Sequence, residues 1–136
     1  MTPDRFAQGL SVSAYLAQMR SNKERFEKRM ADAEITAADR EAIQGRPLKI
    51  LVITEDWCGD ALVGFPGLVK LVDGAPNVEM RIFLRDANPD VMDQYLKRGL
   101  YRTIPVFVFF DDQMNELARF MERQDVVAEL RTLLKV

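Results

Sequence analysis

The chain has 136 residues, a length typical of one compact domain with room for a short additional segment. Hydrophobic residues make up 48% of it and charged residues 29%, an ordinary balance for a globular protein with an apolar core. The formal net charge is −2, from 19 Lys and Arg against 21 Asp and Glu. A slightly negative chain lacks the excess of positive charge that is typical of proteins that bind nucleic acid or an anionic membrane surface.

Two residue counts restrict the chemistry further. The sequence holds one cysteine and no histidine. One cysteine excludes an intrachain disulfide. Without histidine, the chain has no Ser-His or Cys-His catalytic pair and no metal site with histidine ligands. With one cysteine, a single chain also lacks the ligands for a structural zinc site. We therefore expect no metal and no cofactor, and catalysis would rely on a thiol, carboxylates, lysine, arginine or tyrosine.

The first residues predict neither secretion nor membrane insertion. Residues 1–19 contain Asp and Gln where a signal peptide has an unbroken apolar stretch. No run approaches the roughly 18 apolar residues of a membrane-spanning helix. We therefore expect a cytoplasmic protein without a membrane partner.

Residues 1–46, which we call the leader, have the pattern of several helices. Thr2, Pro3 and Asp4 stand in the order that starts a helix, and Ser21 and Thr36 each begin a segment with capping-box spacing. Large apolar residues recur at roughly helical spacing and need a surface to cover. The pattern favours a leader packed on the following domain over a dedicated arm for binding a partner.

From Leu48 the periodicity changes to that of an α/β domain. The run 48–54 is short, β-branched and almost wholly apolar, as in a strand buried on both faces. A helix is predicted from about Cys58 to Asp73, with a kink near Pro66, and a second strand at 78–84. These elements form a β-α-β unit with parallel strands and a right-handed crossover.

The remaining elements complete the order β-α-β-α-β-β-α. A helix is predicted after Asn88-Pro89 as far as about Arg98, where Gly99 ends it. Strands are predicted at 105–110 and 116–120 as an antiparallel hairpin pair, and a helix at 124–136 closes the chain. We therefore divide the chain into the leader, 1–46, and an α/β domain, 47–136.

Residues 55–61 hold the candidate site, where the first strand ends and the next helix begins. In α/β sheets, ligands and reactive groups usually lie at this carboxyl end of the strands. Cys58 is predicted at the N-terminus of the helix, where unpaired N–H groups and the helix dipole favour a thiolate.

Four short motifs in this order resemble the thioredoxin family. Trp57-Cys58-Gly59 matches the start of the family's Trp-Cys-Gly-Pro-Cys motif, and Pro66 stands where thioredoxins have a helix-kinking proline. Asn88-Pro89 and Thr103-Ile104-Pro105 match two further family motifs. The leader and the Trp-Cys-Gly-Asp sequence are similar to a bacterial thioredoxin-like branch.

The resemblance implies a thioredoxin fold over about residues 47–136, a central mixed four-stranded sheet flanked by helices, with the leader as an N-terminal extension. It also implies a cis bond before Pro105, which would pack beside Cys58 and expose the Ile104 backbone to an extended substrate. The implied site comprises Cys58 as the catalytic residue and a substrate-binding set: Trp57, Gly59, Asp60, Ile104 and Pro105.

The departures from the family pattern concern the thiol chemistry. The family's second cysteine, which resolves a mixed disulfide, is replaced by Ala61. Val52 and Ile82 stand where the family has a buried Asp and a Lys that assist proton transfer. Asp56 and Asp60 flank the thiol, and their negative charge opposes the effect of the helix dipole.

Several side chains near this site have two interpretations. Trp57 is equally well explained as a partly exposed lid over the site and as a core anchor. The pattern favours Asp56 and Asp60 as solvated loop acids, with Asp60 also stabilising the helix start. Three arginines could line an anion-binding surface, although ordinary solvated arginines explain them better: Arg85, Arg102 and Arg123.

Three hypotheses for the function follow. Cys58 forms mixed disulfides that a protein or a small thiol such as glutathione resolves. Alternatively, the chain is a redox-inactive module that binds extended peptide near Trp57, Cys58 and Pro105. In the third hypothesis Ala61 is an engineered replacement of a resolving cysteine, so that the parent is a dithiol oxidoreductase. The sequence leaves the oligomeric state open.

Overall fold

The structure is a computed structural model that describes residues 1–135, in seven helices and four strands over that range. The helices are α1 (Pro3–Phe6), α2 (Val12–Gln18), α3 (Lys23–Asp32), α4 (Ala37–Ile43), α5 (Ala61–Val72), α6 (Pro89–Met92) and α7 (Val126–Leu134). The strands are β1 (Leu48–Thr54), β2 (Val78–Leu84), β3 (Val106–Phe110) and β4 (Glu116–Met121).

The strands form one mixed sheet in the order β2-β1-β3-β4. β1 runs parallel to β2 and antiparallel to β3, and β3 runs antiparallel to β4. In this register Ile50 lies beside Met80 on one side and Phe109 on the other. The predicted mixed four-stranded sheet is therefore confirmed.

Both faces of the sheet are covered, which explains why β1 is nearly all apolar. Ile50 and Val52 belong to the core under α5, whereas Leu51 and Ile53 point to a second core on the opposite face. All four side chains are fully buried. Successive residues of a strand alternate between faces, so burial on both faces removes the usual polar positions.

Most of the leader packs on the face of the sheet that carries α5, whereas Phe6 of α1 is buried in the core on the opposite face. The rings of Tyr15 and Phe26 contact Phe65 of α5, with centroid separations of 5.7 and 5.4 Å. Leu10 exchanges two backbone hydrogen bonds of 2.8 Å with Ile82, which extends the sheet beyond β2. The leader thereby covers one edge of the sheet as well as the large aromatic side chains of the core.

Two helices differ from the sequence prediction. The helix predicted from Cys58 begins at Ala61, and the helix predicted to reach Arg98 ends at Met92. Beyond Met92 the chain forms turns and then a bridge between Lys97 and Tyr101. Arg98 and Gly99 have positive φ values of 54° and 71°, so both residues lie in a turn well beyond the end of the helix.

The final helix is also shorter than predicted. It begins at Val126 rather than at 124, because Asp125 is its N-cap and accepts a hydrogen bond from the Ala128 N–H. Its last helical residue is Leu134. The predicted end at Val136 lies outside the described residues.

Gly64 allows α5 and α7 to approach closely. A Cβ at this position would lie 2.8 Å from the Gln124 carbonyl oxygen and 2.9 Å from a methyl group of Val126. Alanine would favour the helix by about 1 kcal/mol, but overpacking against a backbone atom costs about 1–3 kcal/mol. Gly64→Ala is therefore expected to lower the free energy of unfolding, measured by urea denaturation.

Gly67 provides the matched control in the same helix. A Cβ there would lie 3.3 Å from a methyl group of Val127, a side chain that can adjust. Gly67→Ala is expected to be neutral or slightly stabilising. Equal effects of the two substitutions would contradict the proposed backbone conflict at Gly64.

Candidate functional site

The site is a tight turn between β1 and α5. The Cys58 N–H donates to the Glu55 carbonyl oxygen at 3.1 Å and closes this turn. The Leu62 and Val63 N–H groups then donate to the carbonyl oxygens of Gly59 and Asp60, which leads the chain into α5. Cys58 therefore precedes the helix by three residues instead of starting it, and the predicted dipole effect weakens with that separation.

The thiol lies against the loop that enters β3. The Cys58 Sγ is 3.7 Å from the Ile104 carbonyl oxygen, to which it donates, and the side chain is half-buried. The Ile104–Pro105 peptide bond is cis. The Glu122 N–H donates to the Pro105 carbonyl oxygen at 2.9 Å, so the loop is also held from its far side.

Trp57 lies at the surface beside the thiol. Its side chain is 52% exposed, which excludes the interpretation as a core anchor. The Arg85 guanidinium stacks over the indole ring, 5.1 Å from the ring centroid. This cation–π contact holds the indole on the site side of the sheet.

The two acids beside the thiol have different partners. The Asp56 carboxylate accepts hydrogen bonds from the backbone N–H groups of Arg20 and Ser21, so the prediction of a solvated loop acid was wrong for Asp56. Asp60 pairs with Arg123 at 3.1 Å. It is the N-cap residue of α5 and its side chain makes no capping hydrogen bond, so the predicted support of the helix start would come from its charge alone.

The three arginines considered for an anion-binding surface each pair with an acid. Arg85 pairs with Asp86, Arg102 with Asp93 and Arg123 with Asp60, at 2.9, 3.0 and 3.1 Å respectively. Their charges are thus largely neutralised within the protein, as expected for ordinary surface arginines.

The positions that depart from the family pattern are buried. Ala61 is 5% exposed in the first turn of α5, and Val52 and Ile82 are fully buried in the sheet. No acid or lysine replaces the missing pair at those two strand positions. The described site therefore offers one thiol without a buried carboxylate in β1 behind it.

Sequence reasoning placed Tyr15 in the leader but not beside the site. Burial raises the pKa of Tyr15 well above its usual value, and the nearby charges of Asp56 and Glu55 raise it further. A hydrogen bond with Thr54 opposes this rise. A tyrosine among apolar helix positions was the available signal, because a buried hydroxyl needs a polar partner.

Residues 1–135 contain neither a metal-binding cluster nor a membrane-spanning helix. Over this range no group of three or more Cys, Asp or Glu side chains is arranged to hold a metal ion. None of the helices described there is long and apolar enough to span a membrane.

Comparison with known proteins identifies the family. The sequence profile of the thioredoxin family matches residues 9–135. The chain belongs to the thioredoxin family. The match includes most of the leader, whereas the motifs recognised in the sequence cover only the part from residue 47 onward. The family and fold support a thiol redox protein in general terms.

Solved structures show the same fold. A protein of unknown function from Pseudomonas aeruginosa is 24% identical with a TM-score of 0.73, over 99% of this chain and 88% of that chain. Thioredoxin from Fasciola hepatica is 25% identical with a TM-score of 0.50, over 73% of this chain and 91% of that chain. Mitochondrial thioredoxin 3 from Saccharomyces cerevisiae is 19% identical with a TM-score of 0.50, over 79% of this chain and 96% of that chain. Among curated proteins no sequence matches this chain.

The alignments differ in how much of the leader they include. The Pseudomonas aeruginosa structure aligns with nearly the whole chain, whereas the two thioredoxins align with about three quarters of it. The leader is therefore part of a fold that this thioredoxin family member shares with the bacterial protein.

Proposed function

We propose that the protein is a monothiol exchange protein of the thioredoxin family, in which Cys58 forms mixed disulfides with a protein or a low-molecular-weight thiol partner. The observation that carries the proposal is the half-buried Cys58 thiol, 3.7 Å from the carbonyl oxygen of Ile104 in the cis-proline loop. In this proposal residues 47–136 form the redox domain and residues 1–46 an extension packed on it.

The exchange needs two external sulfur compounds. The Cys58 thiolate attacks one sulfur of a disulfide, forms a new S–S bond and releases the other sulfur as a thiolate. A second thiol, such as glutathione, then attacks the mixed disulfide. The Cys58 thiolate leaves and the attacking thiol becomes part of a new disulfide. The resolving thiol must come from outside, because the chain has one cysteine.

The residues around the thiol form the proposed substrate-binding set. Trp57 supplies an exposed apolar ring, and Gly59 has open space around its Cα. Ile104 places its carbonyl oxygen against the Cys58 thiol, next to Pro105, and Asp60 is the N-cap residue of the helix that follows the thiol. We propose this assignment for Trp57, Gly59, Asp60, Ile104 and Pro105, with Cys58 as the catalytic residue.

Incubation with glutathione disulfide tests the proposal. The folded protein is expected to gain the mass of one glutathionyl group, and a small external thiol is expected to remove it. Cys58→Ser is expected to gain none, because the sequence holds no other cysteine. Intact-mass spectrometry measures both reactions. A wild-type protein that stays unmodified in the folded state but reacts once unfolded would contradict the proposal.

A redox-inactive module that binds extended peptide is the second candidate. The exposed Trp57 ring favours it, since an exposed aromatic side chain can contact a bound peptide without any reaction at the thiol. The two candidates differ in their need for the sulfur. If Cys58→Ser binds peptide as well as the wild type does, the peptide-binding module is favoured. If the wild type forms a mixed disulfide with its partner and Cys58→Ser does not, thiol exchange is favoured.

A further inference from the structure

We propose that Asp56 is a positioning residue for Cys58 and that leader residues 20–22 hold it in place. This inference rests on the proposed function, because it names what orients the exchanging thiol. Residues 20–22 form the connection between α2 and α3, and we call them the leader loop.

The leader loop binds Asp56 at two separate groups. The Arg20 and Ser21 N–H groups donate to the same carboxylate oxygen, Oδ2, at 2.9 and 3.3 Å. The Asn22 side-chain amide donates to the Asp56 carbonyl oxygen at 3.0 Å. Hydrogen bonds to an ionised carboxylate are stronger than neutral ones. The side chain and the backbone of Asp56 are therefore both fixed by the leader.

The leader loop is itself anchored on both sides. Met19, which precedes it, and Phe26, one turn into α3, are 6% and 1% exposed. Asn22 adopts a left-handed conformation with φ of 61°, which asparagine tolerates better than most residues. The groups that bind Asp56 thus project from a segment fixed by the hydrophobic core.

The position of Asp56 determines the direction of the thiol. Asp56 and Trp57 are the two central residues of the turn that the Cys58 N–H closes onto Glu55. The Glu55 carboxylate accepts a hydrogen bond of 3.0 Å from the Asp86 N–H, which fixes the first residue of the turn. With the start of the turn fixed by Asp86 and its middle by the leader loop, Cys58 has a defined orientation towards Ile104.

Two readouts test the inference in the full-length protein. Trp57 is the only tryptophan of the sequence, so acrylamide quenching of its fluorescence reports the order of the turn without any redox chemistry. The ratio of two rate constants for Cys58, exchange with glutathione disulfide over alkylation by iodoacetamide, reports orientation. Exchange requires sulfur atoms in line and alkylation is less demanding, so a general change in exposure cancels in this ratio.

Asp56→Ala is expected to lower the rate ratio about tenfold and to raise the quenching constant of Trp57 about twofold. Asp56→Asn keeps a side-chain oxygen acceptor, so it is expected to retain the ratio within about threefold. Asn22→Ala is expected to have an intermediate effect, and combining it with Asp56→Ala is expected to add little, because both remove parts of one contact.

Asp32→Ala is the matched control. Asp32 is also an aspartate with a hydrogen-bonded carboxylate, but it lies in α3 of the leader and pairs with the exposed Lys28 instead of holding the turn. Its removal is expected to leave the quenching constant and the rate ratio unchanged. Thermal unfolding of every variant checks that each one folds.

Unchanged quenching and rate ratio in folded Asp56→Ala would overturn the inference, as would identical effects of Asp32→Ala. A wild-type protein that fails to exchange with glutathione disulfide would instead overturn the proposed function. In that case increased quenching in Asp56→Ala would still support the positioning of the turn by the leader loop.

Discussion

Ala61→Cys is expected to convert a protein that stops at a mixed disulfide into one that releases its product without an external thiol. Position 61 follows Cys58 by three residues across the turn into α5, a separation at which a turn brings Cα atoms within reach of a disulfide. Intramolecular attack has a high effective concentration. Release is therefore expected to be about a hundredfold faster than with millimolar external glutathione, measured by the rate of loss of the glutathionyl adduct.

Val63→Cys provides the control for a second thiol in the same helix. Val63 lines the groove on the side of α5 that faces α3, with Arg25 and Arg29. A thiol there is expected to leave the mixed disulfide in place. Equal release from both variants would contradict the geometric argument. Restored dithiol activity in Ala61→Cys would also agree with the hypothesis that Ala61 stands in place of a resolving cysteine.

Asp39→Asn is expected to lower the free energy of unfolding at neutral pH by about 2–3 kcal/mol. Asp39 is 4% exposed, and its carboxylate accepts hydrogen bonds of 2.9 and 2.7 Å from the Arg131 guanidinium. It also accepts from the Thr36 N–H within a capping box. The pair joins α4 of the leader to α7. Asparagine removes the charge and leaves the half-buried Arg131 guanidinium without its ionic partner. Urea denaturation measures the loss.

The effect of Asp39→Asn is expected to depend on pH in a defined direction. The Arg131 hydrogen bonds hold the pKa of Asp39 well below its usual value in the folded protein. The resulting stabilisation is fully present above the unfolded pKa of about 3.9 and is lost as the pH falls towards the folded pKa. The wild type is therefore expected to lose its advantage over the variant as the pH falls below about 4.

Asp32→Asn is the matched control for the acid effect. Asp32 pairs with Lys28 at the surface, where the two side chains are 65% and 78% exposed. Its replacement is expected to leave the free energy of unfolding unchanged, both at neutral pH and below about pH 4, because exposed ion pairs contribute little to stability. A pH-independent difference between wild type and Asp39→Asn would contradict the role assigned to the buried carboxylate.

The sheet was predictable because its signals are local and consistent. The runs at 48–54 and 78–84 match β1 and β2 in full. β1 is almost wholly buried and apolar, as a strand covered on both faces should be, whereas β2 is only partly buried and carries Glu79 and Arg81 between apolar residues. The region after Met92 was predicted wrongly. Its composition is compatible with a helix, but the N–H groups of Gln94 and Tyr95 donate to carbonyl oxygens three residues back, which is turn geometry and not α-helix.

The site was predictable only in part. Trp57, Cys58 and Pro105 were recognised because family motifs are contiguous in sequence. The contact between Asp56 and the leader joins residues 34 to 36 positions apart through two backbone N–H groups and one amide, which leave no recognisable motif. Sequence spacing likewise does not predict that Asp39 pairs with Arg131, because the two residues are 92 positions apart. Such contacts depend on the packing of the whole fold.

The rate constant for the reaction of Cys58 with glutathione disulfide, in folded and in urea-unfolded protein, tests the central claim most directly. A site that orients the thiol beside the Ile104 carbonyl oxygen is expected to react about tenfold faster when folded. A folded protein that reacts more slowly than the unfolded chain would contradict the account. The thiol would then be silenced by its surroundings, and the chain would be better described as a peptide-binding module.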